Sequence, residues 1–80
     1  MRRRSKRYYS TKHGWTDVEM IEDFELGCRV NDAMFRKRLS MKTLASEIDV
    51  QQAQIQRLRY GDAVRLDAAR KICRAVGLPI

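Results

Sequence analysis

Residues 39–61 of the 80-residue chain read LSMKTLASEIDVQQAQIQRLRYG, and this segment carries the clearest indication of the fold. Ser40 has the side chain of a good helix N-cap, because its hydroxyl can accept from the first free amide groups. In the segment 41–48, Leu44 and Ile48 fall on one face of a helix. The pattern therefore predicts a short amphipathic helix over 41–48.

The same stretch continues into a turn and a further helix. Asp49, Val50 and Gln51 interrupt the helical pattern, since Asp adopts the left-handed backbone conformation at modest cost and Val50 is available to the core. A helix then follows over 52–60, and Gly61 is a favoured residue just after a helix. Two short helices joined by such a turn are typical of a helix-turn-helix.

Helices are also predicted on both sides of this pair. Before it, an apolar stripe at helical spacing predicts a helix over 28–38, and its members are Val30, Met34, Phe35 and Leu39. After it, an apolar stripe is closed by Gly77, which predicts a last helix. The apolar positions of that last helix are Leu66, Ala69, Ile72, Cys73 and Val76.

The composition indicates one small domain with an anionic partner. The chain has 17 Lys and Arg against 10 Asp and Glu, which gives a net charge of +7, and 44% of its residues are hydrophobic. A chain of this length buries only about 60% of its unfolded surface, so we expect no deep catalytic cleft and no enzyme. No apolar run approaches the roughly 20 residues that cross a bilayer, and no signal-peptide core follows Met1. We therefore expect a cytoplasmic protein without membrane contact.

Residues 1–13 form a basic segment without any acidic residue. Such a run repels itself and is predicted to be a disordered, flexible arm. It is either a solubilising or localisation-type tail, or an arm that follows a phosphate backbone or enters a minor groove. Its basic residues are Arg2, Arg3, Arg4, Lys6, Arg7 and Lys12.

Residues 14–27 form an acidic segment that is predicted to contain an amphipathic helix over 17–26. Thr16 and Glu19 match a capping box, and Gly27 either ends this helix or lies within a longer one. The acids either fold back on the basic arm in the absence of DNA or form a solvated face. The apolar residues at helical spacing are Trp15, Val18, Ile21 and Phe24.

The two cysteines and the one histidine indicate no cofactor and no metal site. Cys28 and Cys73 lie far apart among apolar helical positions, so we expect both to be buried, reduced thiols. His13 is the only histidine and falls in the arm, and the sequence has no Cys-x-x-Cys. Neither a nucleophile with a partnered base nor a glycine-rich phosphate loop is present.

The spacing of residues 28–77 resembles the Cro/C1-type (XRE) helix-turn-helix family of DNA-binding regulators. The resemblance rests on LS-x3-LA-x2-I-x-V-x4-I-x2-L-x2-G over 39–61, followed by Leu66 and by ICRAVGLP over 72–79. It implies an all-α, lambda repressor-like domain of four to five helices over 28–80, preceded by the flexible basic arm.

Four features depart from the family pattern. Asp49 stands where the turn usually has Gly, Met41 where Gln is usual, and Arg59 where an acid usually forms an ion pair with the first helix. The loop after Gly61 is also slightly short, so we expect the last helix to tilt or to begin early at Asp62.

The resemblance places the helix over 52–60 in the major groove, with its first turn at the base edges. It implies that Gln52, Ala53 and Arg57 face the bases, with Gln51 near the cap and Gln54 at the edge. Gln pairs with adenine, Arg pairs with guanine, and Ala suits a thymine methyl group. The alternative is that these glutamines are merely good surface helix formers.

Phosphate contacts and self-association are the remaining expectations. Family modules usually pair on two half-sites, so we expect a weak homodimer on double-stranded DNA. The candidate phosphate ligands besides the arm are Ser40, Lys42, Thr43, Arg59, Tyr60 and Arg65. The candidate dimer residues are Trp15 and Phe24, or Leu78 and Ile80.

The function predicted from these features is a bacterial or phage-type repressor that occupies an operator and blocks polymerase. The alternatives are an antitoxin or other protein-binding helix-turn-helix module, with its partner on the helix within 15–26, or a small excisionase-like DNA-bending factor. The absence of a predicted hairpin wing counts against the last of these.

Overall fold

The computed structural model describes residues 2–10 and 14–79. Three strands and four helices occupy these ranges. In chain order they are β1 (Arg2–Ser10), β2 (Gly14–Glu22), α1 (Phe24–Lys37), α2 (Met41–Ile48), α3 (Gln52–Tyr60), β3 (Val64–Arg65) and α4 (Leu66–Val76).

The helix-turn-helix prediction is confirmed, since α2 and α3 have the predicted bounds. The first helix begins earlier than predicted, because the Asp23 carboxylate accepts from the Leu26 amide at 3.1 Å and caps α1. Gly27 lies inside α1 and does not end a helix. The last helix begins at Leu66 and not at Asp62, because the short strand β3 precedes it.

The prediction is wrong for residues 2–10 and 14–22. Residues 2–10 of the segment predicted to be a disordered arm form β1, and β2 replaces most of the helix predicted over 17–26. The two strands pair antiparallel, from Arg2 opposite Glu22 to Ser10 opposite Gly14. The fold is therefore mostly helical but not all-α, and no helix over 15–26 is available to a protein partner. Lys12 and His13 lie outside the described residues.

Sheet pairing on both edges of β2 explains the difference. In the order β1-β2-β3, Ile21 pairs with Val64, and both of these side chains are buried. Valine, isoleucine and threonine favour strands. Both faces of β2 are covered at its end, so apolar residues there are not confined to alternate positions. Apolar residues three positions apart therefore do not by themselves distinguish a helix from a strand. The acidic segment pairs with the basic one as an antiparallel strand.

One hydrophobic core joins the sheet to the four helices. The sheet contributes Ile21 and Val64, while Val50 and Leu78 pack on the core from its edge. The largest fully buried side chains are Ile21, Val30, Leu44, Ile55, Leu58, Val64, Ile72 and Cys73. The packing roles predicted from the helical pattern are thereby confirmed for the helices that follow β2, except that Phe35, predicted on the apolar stripe of the helix over 28–38, is 83% exposed.

The turn between α2 and α3 depends on a left-handed residue. Asp49 has a φ of 56°, and the amides of Asp49 and Val50 both donate to the Ala45 carbonyl. The backbone thereby reverses within three residues, and Val50 is directed at the core. The predicted left-handed Asp49 is confirmed, and this turn fixes the direction in which α3 leaves α2.

Candidate nucleic-acid interface

The start of α2 brings three of the predicted phosphate ligands together. Ser40 Oγ accepts from the Thr43 amide at 3.1 Å and donates to Thr43 Oγ1 at 2.9 Å. Ser40, Lys42 and Thr43 are exposed, whereas Met41 is half-buried against the core. A helix N terminus carries partial positive charge and favours anions, so this exposed corner suits a phosphate.

The outward face of α3 is polar and carries most of the predicted base-contacting residues. Ile55 and Leu58 are buried, which turns the opposite side of the helix to solvent. Gln51 occupies the N-cap without a side-chain capping hydrogen bond. The exposed residues of this segment are Gln51, Gln52, Ala53, Gln56, Arg57 and Tyr60.

Gln56 is a candidate that was not predicted from the sequence. At 100° per residue it projects between Gln52 and Ala53, which precede it by four and three residues. The signal was present in the sequence, because Ile55 and Leu58 already indicate which side of α3 is buried. The exposed face therefore offers one more amide donor and acceptor next to Arg57.

Gln54 lies at the edge of this face, as predicted. It is half-buried and borders a groove of about 310 Å³ between the α2–α3 turn and α4. The lining residues are Asp49, Val50, Gln51, Gln54, Arg65, Asp67, Ala68 and Lys71. The groove has both cationic and anionic walls, and its position places it beside the start of α3.

Arg59 ties α3 to α1 instead of lying on the exposed face. Its Nε donates to Asn31 Oδ1 at 2.9 Å, and its terminal nitrogen donates to the same oxygen. The link between the third and first helices therefore persists in this chain without an acid at position 59. The guanidinium has further N–H donors, so Arg59 would have to contact a phosphate through these while it keeps its hydrogen bonds to Asn31.

Gly27 sets how closely α1 approaches α3. A Cβ at this position would collide with the carbonyl oxygen of Leu58 and would lie 2.9 Å from that of Arg59. The last turn of α3 therefore rests directly on the backbone of α1. The helical pattern indicated only that Gly27 ends a helix or lies within one, because this approach is a tertiary contact.

Arg65 is held at the start of α4. It forms a two-pronged ion pair with Asp67, from Nε at 3.2 Å and from the terminal nitrogen at 2.9 Å. Asp67 also accepts from the Ala68 amide at 2.8 Å. This predicted phosphate ligand is half-buried and partly neutralised, so its field at the groove is weaker than that of a lone arginine.

The described residues of the predicted basic arm lie in a strand. Arg2, Arg3, Arg4, Lys6 and Arg7 all belong to β1, in which Arg7 is exposed.

The dimer candidates that the structure describes belong to different elements of the fold. Trp15 lies in β2 opposite Tyr9, and Ile80 falls outside the described residues. Phe24 is 71% exposed at the start of α1, whereas Leu78 is half-buried against the core.

The two cysteines differ in burial. Cys73 is fully buried, and this burial raises the pKa of its thiol to about 11. Cys28 is exposed on α1, so the prediction that it is buried is wrong. Among residues 2–10 and 14–79, no group of His, Cys, Asp or Glu is arranged to hold a metal ion.

A comparison with protein families identifies this arrangement. The model of the Cro/C1-type HTH DNA-binding domain matches residues 29–80, a range that contains α2, the turn and α3. No curated protein matches the chain. In the described part of the chain, no helix is long and apolar enough to cross a membrane.

Proposed function

The chain belongs to the family of Cro/C1-type helix-turn-helix DNA-binding domains, and from this premise we propose that it is a sequence-specific transcriptional repressor that occupies an operator. The observation that carries the proposal is the exposed polar face of α3, presented by a capped α2 and a tight turn. Hydrogen-bonding side chains on an exposed helix match the donors and acceptors of the major groove.

The roles on α3 follow from side-chain chemistry. Gln52 and Gln56 can each pair with adenine N6 and N7, and Arg57 can pair with guanine O6 and N7. Ala53 lies between them and suits a thymine methyl group. Gln51 and Gln54 flank this face and contact bases at its margin or the adjoining sugar-phosphate backbone.

The phosphate contacts proposed for the domain surround α3. Ser40, Lys42 and Thr43 contact one strand from the α2 N terminus, and Tyr60 and Arg65 contact the backbone beyond the two ends of α3. Arg59 contributes mainly by holding α3 on α1 and adds positive charge at that end. These contacts fix the register on DNA and carry no sequence information of their own.

The β1–β2 hairpin is proposed to contact the sugar-phosphate backbone. Five of the nine residues of β1 are Arg or Lys, and their partner strand is acidic on average. A paired two-stranded ribbon is wider than a single arm and fits the major groove, not the narrow minor groove. Of the two roles predicted for the basic segment, contact with the phosphate backbone is therefore favoured over insertion into the minor groove.

Selection from a random duplex library at physiological salt tests the proposal, followed by titration of the enriched sequence against scrambled DNA. We expect an enriched site bound about a thousandfold more tightly than scramble. Placement of that site between promoter elements should then block transcription by polymerase in vitro. Enrichment of no motif, with binding that vanishes on addition of salt, would contradict the proposal.

The hairpin also favours one second candidate, a DNA-bending factor. The objection from sequence was the lack of a hairpin wing, and β1 with β2 removes that objection. Energy transfer between dyes at the two ends of the selected duplex separates the two functions. A bend of about 40° or more on binding would favour the bending factor, whereas a nearly straight duplex would favour simple occlusion.

A further inference from the structure

The outer face of α1 carries an exposed apolar stripe. Phe24, Cys28 and Phe35 lie within about 40° of one another around the helix axis, at 100° per residue. Phe24 is 71% exposed, Phe35 is 83% exposed and Cys28 is exposed. The opposite face of α1, with Val30 and Met34, forms part of the core. Exposed apolar patches that contain large aromatic side chains often mark protein interaction sites.

A row of alternating charges runs along one side of this stripe. Its members are spaced by four, three and four residues, so they share one side of the helix. All four are exposed, and the first two form an ion pair at 3.0 Å. In order they are Glu25, Arg29, Asp32 and Arg36.

We propose that this stripe and charge row form the contact between two copies of this chain, with their α1 helices packed antiparallel about a two-fold axis. In that arrangement Phe24 meets the partner's Phe35, and Phe35 meets the partner's Phe24. The two-fold axis passes between positions 30 and 31, which leaves each Phe24 within two residues of the level of the partner's Phe35. An isologous contact of this kind requires a surface that complements itself.

The charge row satisfies this requirement in the antiparallel orientation alone. Glu25 comes beside the partner's Arg36, and Arg29 comes beside the partner's Asp32, so the symmetric contact contains four pairs of opposite charge. In a parallel pair the two-fold axis runs along the helices and places the two charge rows on opposite sides of the seam, where they do not meet. Charged residues that flank an apolar seam select partner and orientation in coiled coils by the same physics.

The charge pattern argues for a second copy over an unrelated partner. A uniformly acidic or basic partner would meet unfavourable charges at two of the four positions. The face of one helix of this length buries only a few hundred Å², below the roughly 800 Å² per partner of a standard interface. The dimer is therefore weak and depends on protein concentration, and it does not require DNA.

Two charge variants test the contact by sedimentation equilibrium without DNA. The basic variant is Glu25→Lys with Asp32→Lys, and the acidic variant is Arg29→Glu with Arg36→Glu. Each variant alone should dimerise at least tenfold more weakly than the unchanged chain, because like charges face one another. An equimolar mixture should recover dimerisation as a heterodimer, since every cross-pair is then attractive.

A matched control carries the same change of charge elsewhere. The variant Arg70→Glu with Arg74→Glu alters two exposed residues of α4 and should dimerise like the unchanged chain. Circular dichroism of each variant verifies that the helices are retained. Self-association of both α1 variants at the original strength, or a mixture no tighter than its components, would overturn the proposal.

Cross-linking at Cys28 gives an independent readout. The two Cys28 residues would be offset by about five residues, or about 7.5 Å along the helices, across an interaxial distance of 8–10 Å. A short bismaleimide should therefore join two chains, and Cys28→Ser should abolish the product because Cys73 is buried. Phe35→Ser should reduce both cross-linking and sedimentation of the dimer. Failure of Cys28 to cross-link at a concentration at which the chain sediments as a dimer would place the contact elsewhere.

Discussion

Arg38 and Asp49 are residues other than glycine that end helices in the left-handed conformation, with φ values of 54° and 56°. The left-handed region costs a residue with a Cβ about 1 kcal/mol or more, and Asp less than most. We therefore expect Arg38→Gly to raise the free energy of unfolding by about 1 kcal/mol. Urea unfolding measures this change, with Asp49→Gly as the comparison that should gain less. A lower stability of Arg38→Gly would mean that the arginine side chain compensates the strain.

Gly27 is the residue whose substitution should move α3. An added Cβ meets the carbonyl oxygens of Leu58 and Arg59, and forced overpacking of this kind costs about 1–3 kcal/mol. Gly27→Ala should therefore destabilise the fold, although alanine is otherwise the better helix former by about 1 kcal/mol. It should also weaken DNA binding, because the recognition face shifts with α3.

Gly77→Ala is the control for this substitution. A Cβ there meets no atom within 4 Å, but its φ of 81° strains alanine. This variant should lose stability while it keeps its affinity for DNA at temperatures where it is folded. Equal affinity for DNA in Gly27→Ala and the unchanged chain would contradict the role given to this contact.

Cys73 should make the fold less stable in alkaline solution. Its pKa is about 11 in the folded protein against an ordinary value of 9.0 for a cysteine thiol, because burial disfavours the thiolate. The unfolded chain releases this proton first as the pH rises above 9, so the contribution of Cys73 to stability is present below pH 9 and falls between pH 9 and 11. The loss by pH 11 is on the order of 2–3 kcal/mol.

The measurement is urea unfolding at a series of pH values from 7 to 11. Other groups titrate in this range, so the informative quantity is the difference between the unchanged chain and Cys73→Ala. That variant is destabilised at pH 7 by the cavity it creates, and the gap should narrow as the pH rises. A gap that stays constant to pH 11 would show that Cys73 does not ionise in the unfolding equilibrium.

Local signals decide which elements were predictable. In α2 and α3 the cap at Ser40, the left-handed Asp49 and Gly61 agree with the apolar spacing, so the sequence determines these elements within their own length. The strand β2 has no such agreement, since its pairing with Val64 and Arg65 joins residues far apart in sequence. The same holds for the candidate site. The exposure of Gln56 follows from helical geometry alone, whereas the hydrogen bond from Arg59 to Asn31 can be known only once the position of α1 is known.

The recognition helix and the α2 N terminus should respond differently to substitution. Arg57→Ala should cost about 1–3 kcal/mol on the selected site and relax the preference at one base pair. Lys42→Ala should weaken all sequences nearly equally and make the salt dependence shallower by about one unit. Fluorescence titration of the selected duplex and of its single-base variants measures both effects. Identical behaviour of the two variants on every duplex would contradict the division between base and phosphate contacts.

At the scale of the molecule, the charge of +7 is distributed over separate surfaces. The β1 strand is basic, its partner β2 is acidic, and the α2 N terminus adds a second positive region. Because β1 is held in a sheet, it loses less conformational freedom on binding DNA than a free arm would. The hairpin should thus add affinity without a large entropic cost.

The salt dependence of binding tests whether hairpin and helical domain contact the same DNA. Neutralisation of about eight phosphates predicts a slope of roughly −7 for log K against log salt, because each contact releases nearly one counterion. Arg3→Gln with Arg4→Gln, at two positions that pair with apolar residues of β2, should make the slope shallower by about 2. Arg70→Gln with Arg74→Gln removes the same charge from α4 and should change the slope much less. A slope near −2 in the unchanged chain would mean that only one of the two surfaces contacts the backbone, and an unaltered slope in the β1 variant would identify that surface as the helical domain.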